Sequence, residues 1–348
     1  MAPAPRIAPK LAVVTVNYRT ADLAIRCVEA LAAERETAGP FDLFIVDGNS
    51  GDGSVEKLAA HFGQPPWSDW VTVLPLALNG GFGWANNQAM LRLLQRDDPP
   101  DYIHLINPDA IVEPGAIAAL LSVIESDPKI GGVGSQLLEP DGRIAGSAFR
   151  FPSPGREFLH GVGLGRLGAW IGVKPILMEF AAPGPAEWIT GASMMFRSTA
   201  LRQAGLFDDG FFLYFEEVEL MHRLTDAGWA LWSVPASRVT HIGGAATGVA
   251  SGIQAAVRPL PAYRYEARRR YFVRANGIAG LVAANLAWLA GRLIGFPVRL
   301  LRGKADPAPP REFSMMLRHS FWPSRRDARA SIPRWDEPPG RPPAWLAK

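Results

Sequence analysis

Short apolar runs alternate with stretches of helical periodicity in the first third of the chain. Residues 11–16, 41–46, 71–74 and 102–106 have the length and the β-branched or aromatic content of buried strands. The stretches between them carry apolar residues at helical spacing, and Thr20 is suited to cap the first helix. Strands that alternate with helices predict an α/β fold with a parallel sheet.

Polar residues follow the predicted strands at the points where the strands end. Asp47 follows the second strand, and Asn107 and Asp109 follow the fourth. Because open α/β sheets bind ligands beyond the carboxyl ends of their strands, we expect these side chains to share one site. A carboxylate there can accept from a nucleobase or ribose, or hold a divalent cation beside a diphosphate. Asp is also common in turns after strands, so each position alone leaves both interpretations open.

A glycine-rich segment, residues 79–87, begins the helix after the third strand. Its glycines allow close backbone approach to a ligand, and the amides of Asn86 and Asn87 can both donate and accept. A glycine turn with capping amides is the alternative, although it does not readily explain two adjacent asparagines. The segment lacks the spacing of a dinucleotide-binding fingerprint, and without a Gly-Lys-Ser or Gly-Lys-Thr loop an ATPase is disfavoured.

Beyond residue 130 the pattern becomes mixed, with a turn predicted at 140–142 and a strand at 193–196. An aromatic run then leads into Glu216, Glu217 and Glu219. Three carboxylates this close raise the pKa of at least one of them, which suits a general base, and the aromatic residues resemble a floor for a sugar ring. The preference of acidic residues for helix N-termini explains part of this pattern.

His241 and Cys27 are weaker signals. His241 follows a strand predicted at 232–239 and precedes a glycine-rich loop, but a lone histidine is more often structural than a ligand. Cys27 is the single cysteine, which excludes an intramolecular disulfide and a Cys-based zinc site. A cytoplasmic location is therefore expected.

Length and composition indicate how large a core the chain can bury and where its charges lie. With 348 residues, 48% of them hydrophobic, the chain can bury a large core and carry an appendage. The formal net charge is only +3, but arginines cluster in the last third, which predicts an acidic partner there. The cluster comprises Arg264, Arg268, Arg269, Arg270 and Arg274, with a further Arg-rich stretch after Arg311.

The segment 277–298 is mainly apolar, but Asn285, Arg292 and Pro297 interrupt it. A span needs about 20 apolar residues with few charges, so a helix in the membrane plane is favoured over a span, and a helix packed on the main domain is the alternative. Residues 1–10 lack the apolar core of a secretory signal. The Pro- and Arg-rich composition after residue 306 predicts a poorly packed tail. Three tryptophans are available to dock that tail: Trp322, Trp335 and Trp345.

Eight motifs in order resemble glycosyltransferase family 2, in particular its bacterial rhamnosyltransferase-like branch. The resemblance covers residues 11–276. The motifs are VVTVNYRTADL, FIVDGNSGDGS, NGGFGWANNQAM, LINPDA, WITGASMMFRS, FDDGFFLYFEEVELMHRLTDAGW, THIGG and RRRYFVRANG.

The resemblance implies the glycosyltransferase type A fold, a Rossmann-like mixed sheet flanked by helices, and inversion at the anomeric carbon. The expected organisation is a flexible N-terminus (1–10), a catalytic domain (11–276), an apolar helix that associates with the membrane (277–303) and a Pro/Arg-rich tail (304–348). The catalytic domain would comprise a nucleotide-sugar half (11–135) and an acceptor half (136–276).

The resemblance also implies a donor site with Mg²⁺ or Mn²⁺. Asp109 matches the last residue of the family's Asp-x-Asp metal motif, and Asn107 replaces its first Asp, which leaves one fewer negative ligand. His241 matches a position that can complete the metal site. The remaining implied donor residues are Val16, Asn17, Tyr18 and Asp47 around the nucleobase, with Asn79 and Asn87 holding the nucleotide sugar.

On the acceptor side, Glu217 matches the proposed catalytic base, where the family's Asp is one methylene shorter. Arg270 and Arg274 would meet phosphates of the acceptor. The other implied acceptor residues are Trp188, Gly191, Phe212, Tyr214 and Glu216.

These features predict a rhamnosyltransferase at the inner face of the cell membrane. It would move rhamnose from a deoxythymidine diphosphate (dTDP) donor to a lipid-diphosphate-linked glycan in cell-surface polysaccharide synthesis. A hexose from a uridine diphosphate (UDP) donor, or a non-catalytic protein that binds nucleotide sugar or glycan, are the alternatives. A nucleotidyltransferase is disfavoured because Arg19 alone does not supply a basic phosphate loop. No nucleic-acid partner is expected, and the oligomeric state stays open.

Overall fold

The computed structural model describes residues 10–163, 168, 171–243, 259–301, 303 and 308–346. The expected flexible N-terminus lies almost entirely outside these residues, and so does the glycine-rich loop after His241. Twelve strands are present among the described residues. They are β1 (Leu11–Asn17), β2 (Phe41–Asp47), β3 (Val71–Pro75), β4 (Tyr102–Ile106), β5 (Ala110–Val112), β6 (Ile130–Leu138), β7 (Ala148–Phe149), β8 (Leu177–Met178), β9 (Gly184–Ala186), β10 (Trp188–Ile189), β11 (Ser193–Arg197) and β12 (Ala230–His241).

The helices flank these strands and continue beyond them. They are α1 (Ala21–Ala38), α2 (Ser54–Phe62), α3 (Phe82–Leu94), α4 (Ala116–Ser126), α5 (Pro154–Val162), α6 (Ser198–Ala204), α7 (Glu216–Asp226), α8 (Ala262–Leu301), α9 (Glu312–His319) and α10 (Arg325–Ala328).

Nine of the described strands form one mixed sheet in the order β3-β2-β1-β4-β11-β6-β12-β5, with β9 against β12. The first four run parallel, as the alternation of strands and helices predicted. Strand β11 is antiparallel to both β4 and β6, so the second half is mixed. The expected boundary at 135/136 falls inside β6, and the two halves therefore share one sheet.

Both faces of the sheet are buried, because successive residues of a strand point to opposite sides. Val13 packs with Cys27 and Leu120 against helices α1 and α4. Its neighbour Val14 packs with Met90 and Leu220 against α3 and α7. Burial raises the pKa of the Cys27 thiol, which is typical of a structural cysteine. The two layers bring the carboxyl ends of β1, β2 and β4 to one edge.

Helix α8 is broken at Gly277, whose φ of 68° is left-handed, and its second half packs on α5. Glycines make this packing close: a Cβ added to Gly291 would lie 2.2 Å from the carbonyl oxygen of Phe158, and one added to Gly295 would lie 2.2 Å from that of Val162. Packing on the main domain, one of the two arrangements considered for this segment, is therefore present, and eight apolar residues of the described helix stay exposed. They are Ile278, Val282, Leu286, Leu293, Ile294, Phe296, Leu300 and Leu301.

The tail after residue 308 is docked on the catalytic domain, which corrects the expectation of poor packing. Trp335 packs against the second core cluster, and the Arg202 guanidinium lies 4.6 Å from its ring centroid. The Trp345 indole N–H donates to the carbonyl oxygen of Gly80 at 3.0 Å. Trp322 is 75% exposed and takes no part in this docking.

Candidate active site

The ends of β1 and β2 form a hydrogen-bonded unit. Asn17 and Asp47 are register partners, and the Asn17 amide Nδ2 donates to Asp47 Oδ2 at 2.7 Å. The Ser50 hydroxyl donates to the same oxygen at 2.7 Å, and the Ser50 backbone N–H donates to Asp47 Oδ1 at 2.9 Å. Both Asn17 and Asp47 are buried. The carboxylate is thus fixed in place before any ligand binds, as a recognition group requires.

Arg19 lies at the same edge of the sheet, although it was not among the predicted site residues. Its φ is 58°, its backbone N–H donates to the Ser50 hydroxyl at 2.9 Å, and its guanidinium lies 5.2 Å from the ring centroid of Tyr18. A cavity of about 430 Å³ opens beside it, lined among others by Asp52 and Lys57. The short spacing from Asp47 to Ser50 was the sequence signal for this turn. Val16 packs partly buried against the second core cluster.

The glycine-rich segment contributes Asn79 to the same edge. The chain enters this segment from the end of β3, where the Leu76 N–H donates to the carbonyl oxygen of Asp47 at 2.9 Å, so the segment begins beside the end of β2. Asn79 Oδ1 accepts from the Gly81 N–H at 3.1 Å and lies 3.9 Å from where a Cβ on Gly48 would be. Asn79 is therefore adjacent to the turn that holds Asp47.

Asn87 has a different position from the one expected for a donor-binding residue. It is fully buried, and its amide donates to Asp209 Oδ1 at 2.8 Å and to the carbonyl oxygen of Phe207 at 2.9 Å. Its own oxygen accepts from the Phe207 N–H at 3.0 Å. Burial raises the pKa of Asp209 to about 7. Asn87 thus holds the segment that leads into Glu216 and Glu217.

Asn107, Asp109 and His241 meet where β5 pairs with the end of β12. His241 and Ala110 are register partners, which places the imidazole beside the residues before β5. His241 Nε2 lies 3.2 Å from Asp109 Oδ1 and 3.3 Å from the Asn107 amide nitrogen. No group of three His, Cys, Asp or Glu side chains suited to a metal is found among the described residues.

One carboxylate, one imidazole and one amide are a donor set that fits a divalent cation, provided that other ligands come from a bound diphosphate. The arrangement brings Asp109 and His241 together as the resemblance implied. It also places the Asn107 amide within reach of the same imidazole.

Glu216 and Glu217 begin α7, and few hydrogen bonds or opposite charges compensate the burial of their carboxylates. In the described part of the chain, one buried oxygen of each, Oε2, has no hydrogen-bond partner. Burial and the charge of Glu217 raise the pKa of Glu216 well above its usual value. Burial also raises the pKa of Glu217, which backbone N–H groups and the charge of Arg264 partly oppose. Carboxylates in such surroundings are candidates for proton transfer.

The backbone before these glutamates is strained. Tyr214 and Phe215 have φ values of 71° and 67°, in the left-handed region that costs non-glycine residues of order 1–3 kcal/mol each. Such conformations persist only where the surroundings hold them. Gly81 contributes, because a Cβ there would lie 1.8 Å from the carbonyl oxygen of Phe212. The glycine-rich segment and the base-bearing segment are therefore in direct contact.

A short series of contacts joins Glu217 to the proposed cation residues. A Cβ on Gly191 would lie 3.8 Å from Glu217 Cγ and 3.8 Å from the Phe82 ring. The next residue, Ala192, accepts from the Asn107 N–H at 2.9 Å. Trp188 lies on the neighbouring strand and stacks on Phe149 with centroids 4.3 Å apart. Gly191 therefore lies between Glu217 on one side and Asn107 on the other, and it has no side chain that would occupy this region.

The arginine cluster is largely neutralised within the protein. Arg270 Nη2 donates to both oxygens of Asp208 at 2.7–2.8 Å, and Arg274 lies 3.5 Å from Asp208 and 3.5 Å from Glu219. These two side chains point inward, in contrast to the expected contact with acceptor phosphates. Arg268 pairs with Glu157, and Arg269 pairs with Asp327.

Comparisons with known structures identify the class of protein. The GalNAc-T7 structure with UDP, GalNAc and Mn²⁺ superposes with a TM-score of 0.54 at 14% identity, over 78% of this chain and 51% of that one. The mannosyltransferase PcManGT of Pyrobaculum calidifontis, in complex with GDP-Man and Mn²⁺, gives 0.51 at 13% identity over 88% and 79%. The fold is therefore that of a glycosyltransferase of type A.

Sequence comparisons identify the family. Residues 12–154 match the profile of Glycosyl transferase family 2. The N-acetylglucosaminyl-diphospho-decaprenol L-rhamnosyltransferase of Mycobacterium tuberculosis is 30% identical over 243 residues, which cover 66% of this chain and 75% of the relative. The rhamnosyltransferase WbbL of Escherichia coli K12 is 28% identical over 166 residues, 46% of this chain and 60% of the relative. The chain belongs to glycosyltransferase family 2.

Proposed function

We propose that this protein transfers rhamnose from dTDP-rhamnose, with inversion, to a glycan linked to a lipid diphosphate. The observation that carries the proposal is the buried carboxylate oxygen of Glu217 beside Gly191, which has no hydrogen-bond partner among the described residues, in a chain similar to two bacterial rhamnosyltransferases. Glu217 is the base that removes the proton from the acceptor hydroxyl as its oxygen attacks the anomeric carbon.

The other predicted residues serve the donor. Asn17 and Asp47, with Val16 and Tyr18, recognise the nucleoside, and Asn79 lies beside the sugar diphosphate. Asp109 and His241, aided by Asn107, hold Mg²⁺ or Mn²⁺. When bound, the cation neutralises the charge that develops on the departing diphosphate. Trp188, Phe212 and Tyr214 shape the acceptor side, with Glu216 buried beneath.

A transfer assay tests the donor and the cation together. Purified protein is given a polyprenyl-diphosphate-linked sugar acceptor with dTDP-rhamnose, UDP-glucose or UDP-N-acetylglucosamine, with Mn²⁺ and then with a chelator. Transfer from dTDP-rhamnose, lost on chelation and restored by Mn²⁺, is expected. The Asp109→Asn variant should lose about 10²-fold in rate, because it removes the carboxylate of the cation site. Transfer from a UDP donor alone would reassign the sugar.

The exposed face of α8 supports peripheral association with the membrane. By length and composition this helix is apolar enough to cross a bilayer, a property that it shares with core helices of soluble proteins. One side of its second half is fixed on α5, and the buried Asn285 and Arg299 contact the protein, whereas Leu286 and Leu293 are 59% and 68% exposed. This division suits a helix that lies in the interface, with its first half packed on α7, the helix that carries Glu217.

Vesicle flotation tests this arrangement. Replacing both Leu286 and Leu293 by Asp should weaken binding to anionic vesicles about 10²-fold or more, because about 1.5–3 kcal/mol is lost per leucine that enters the interface. Ile144, 73% exposed on the hairpin turn, is the matched control, and Ile144→Asp should bind as the unmodified protein does. Equal loss in both variants would rule out a specific membrane face.

A further inference from the structure

The C-terminal strap, residues 331–346, runs along α3 in the opposite direction. Its Trp335 carbonyl accepts from Gln95 Nε2 at 2.9 Å, near the end of α3. Its Gly340 N–H donates to Gln88 Oε1 at 2.7 Å, in the middle of the helix. Trp345 reaches Gly80, just before the helix begins. The strap therefore follows α3 back to the glycine-rich segment.

Two tryptophans fasten the strap at this end through reciprocal hydrogen bonds. The buried Trp84 of α3 donates its indole N–H to the carbonyl oxygen of Arg341 at 2.8 Å. Trp345 of the strap donates its indole N–H to the carbonyl oxygen of Gly80 at 3.0 Å. Gly80 also contacts the Trp84 ring, since a Cβ there would lie 2.1 Å from Trp84 Cε3. The Gly80 backbone is thus held from both sides.

Trp345 contacts the base-bearing segment as well. Its ring meets Phe212 edge to face, with centroids 5.0 Å apart, and Phe212 meets Tyr263 of α8 at 5.3 Å. Aromatic pairs in this geometry are worth about 0.5–1.5 kcal/mol beyond the area they bury. Phe212 precedes the two left-handed residues, Tyr214 and Phe215, whose conformation depends on what surrounds them.

We propose that Trp345 is a positioning residue for catalysis, which holds the glycine-rich segment and the Phe212 segment in one arrangement. It acts through Gly80 on the donor side and through Phe212 on the side of Glu217. Its N–H is used by the Gly80 carbonyl and its ring packs on Phe212, so it fastens the two segments together. This inference rests on the proposed function, because it assigns the strap to the transferase site.

The experiment compares Trp345→Ala and Trp345→Phe with Trp322→Ala, in which the replaced tryptophan is 75% exposed. Hydrogen exchange is measured at residues 80–84 and 211–217, and kcat and the KM for each substrate are measured on the full-length protein. Trp345→Ala should speed exchange in both segments and lower kcat about tenfold, since small misplacement of reacting groups costs rate. Trp345→Phe, which keeps the ring and loses the N–H, should fall between.

Exchange unchanged from that of Trp322→Ala would overturn the proposal, whatever the activity. A rise in kcat on removing Trp345 would also overturn it, because the strap would then obstruct the acceptor site. An unmodified protein that transfers no sugar would refute the proposed function, while the exchange result would still decide whether Trp345 fastens the two segments.

Discussion

The arginines that begin α8 and the glutamates that begin α7 lie on packed helices, yet their charges are satisfied in opposite ways. Arg268, Arg269 and Arg270 each have a carboxylate partner within 2.7–2.8 Å, and among the buried nitrogen atoms of these three side chains only Nε of Arg270 lacks a hydrogen-bond partner in the described part of the chain. Glu216 and Glu217 each keep a buried oxygen that lacks a hydrogen-bond partner among the described residues. The arginines are therefore mostly paired within the framework, whereas each glutamate keeps an oxygen that a ligand could reach for a hydrogen bond or a proton.

The free-energy cost of burying the charge also differs between the arginines and the glutamates. A buried ion pair offsets the loss of hydration by Coulomb attraction, whereas a buried carboxylate without a partner raises its pKa instead. Proteins retain few such groups, and those they retain are concentrated at functional sites. The contrast supports the proposal that Glu217 acts in catalysis, and it predicts a stabilising role for Arg270.

The largest effect is expected at Glu217. Glu217→Gln keeps the shape and removes the base, so the transfer rate should fall by about 10²–10⁴-fold. Donor binding, measured by thermal shift, should be retained because the donor residues lie at the strand ends. Glu113→Gln, an exposed residue paired with Arg238, is the control and should keep its rate. A Glu217→Gln variant with full activity would contradict the assignment of the base.

The next effect is on stability, at Arg270. Arg270→Ala leaves the buried Asp208 without its closest cation and should cost about 3–5 kcal/mol in the free energy of unfolding, measured with denaturant. Arg238→Ala breaks an exposed pair and should cost at most about 1 kcal/mol. If Arg270→Ala instead kept its stability and raised the KM for the acceptor, this arginine would contact acceptor phosphates after all.

The smallest effect is expected at Arg264, the arginine of the cluster whose charge acts on Glu217. The Arg264 guanidinium lies 4.6 Å from the Tyr214 ring centroid, and its charge lowers the pKa of Glu217. A base works in its ionised form, so activity should fall as pH drops through that pKa. Arg264→Met should move the acid limb of kcat/KM to higher pH, and Arg264→Lys, which keeps the charge, should not. An unchanged limb in Arg264→Met would separate Glu217 from the titration.

The meeting of Asn17 with Asp47 at the ends of β1 and β2 could be predicted because it depends on local sequence patterns. Strands that end at Asn17 and Asp47 are neighbours in a parallel sheet, so their polar ends meet whatever the rest of the chain does. Asp109 and His241 meet through the long-range antiparallel pairing of β5 with β12, and only the family resemblance, not a local pattern, led us to expect them together.

The partners of the arginines could not be predicted. Glu157 and Asp208 precede α8 by many residues, and Asp327 follows it, so only the tertiary fold decides that these charges are paired. The same applies to Asn87, whose amide is used by Phe207 and Asp209. Composition predicted a loose tail after residue 306, but Trp335 and Trp345 find specific contacts that composition does not encode.

We propose above that the acceptor hydroxyl, activated by Glu217, displaces the nucleoside diphosphate from the anomeric carbon in a single step. The most direct measurement is the anomeric configuration of the product by NMR, with dTDP-rhamnose as donor and the lipid-diphosphate-linked acceptor. We expect a linkage inverted relative to the donor, formed by the unmodified protein and not by Glu217→Gln. A linkage with retained configuration would contradict this proposal.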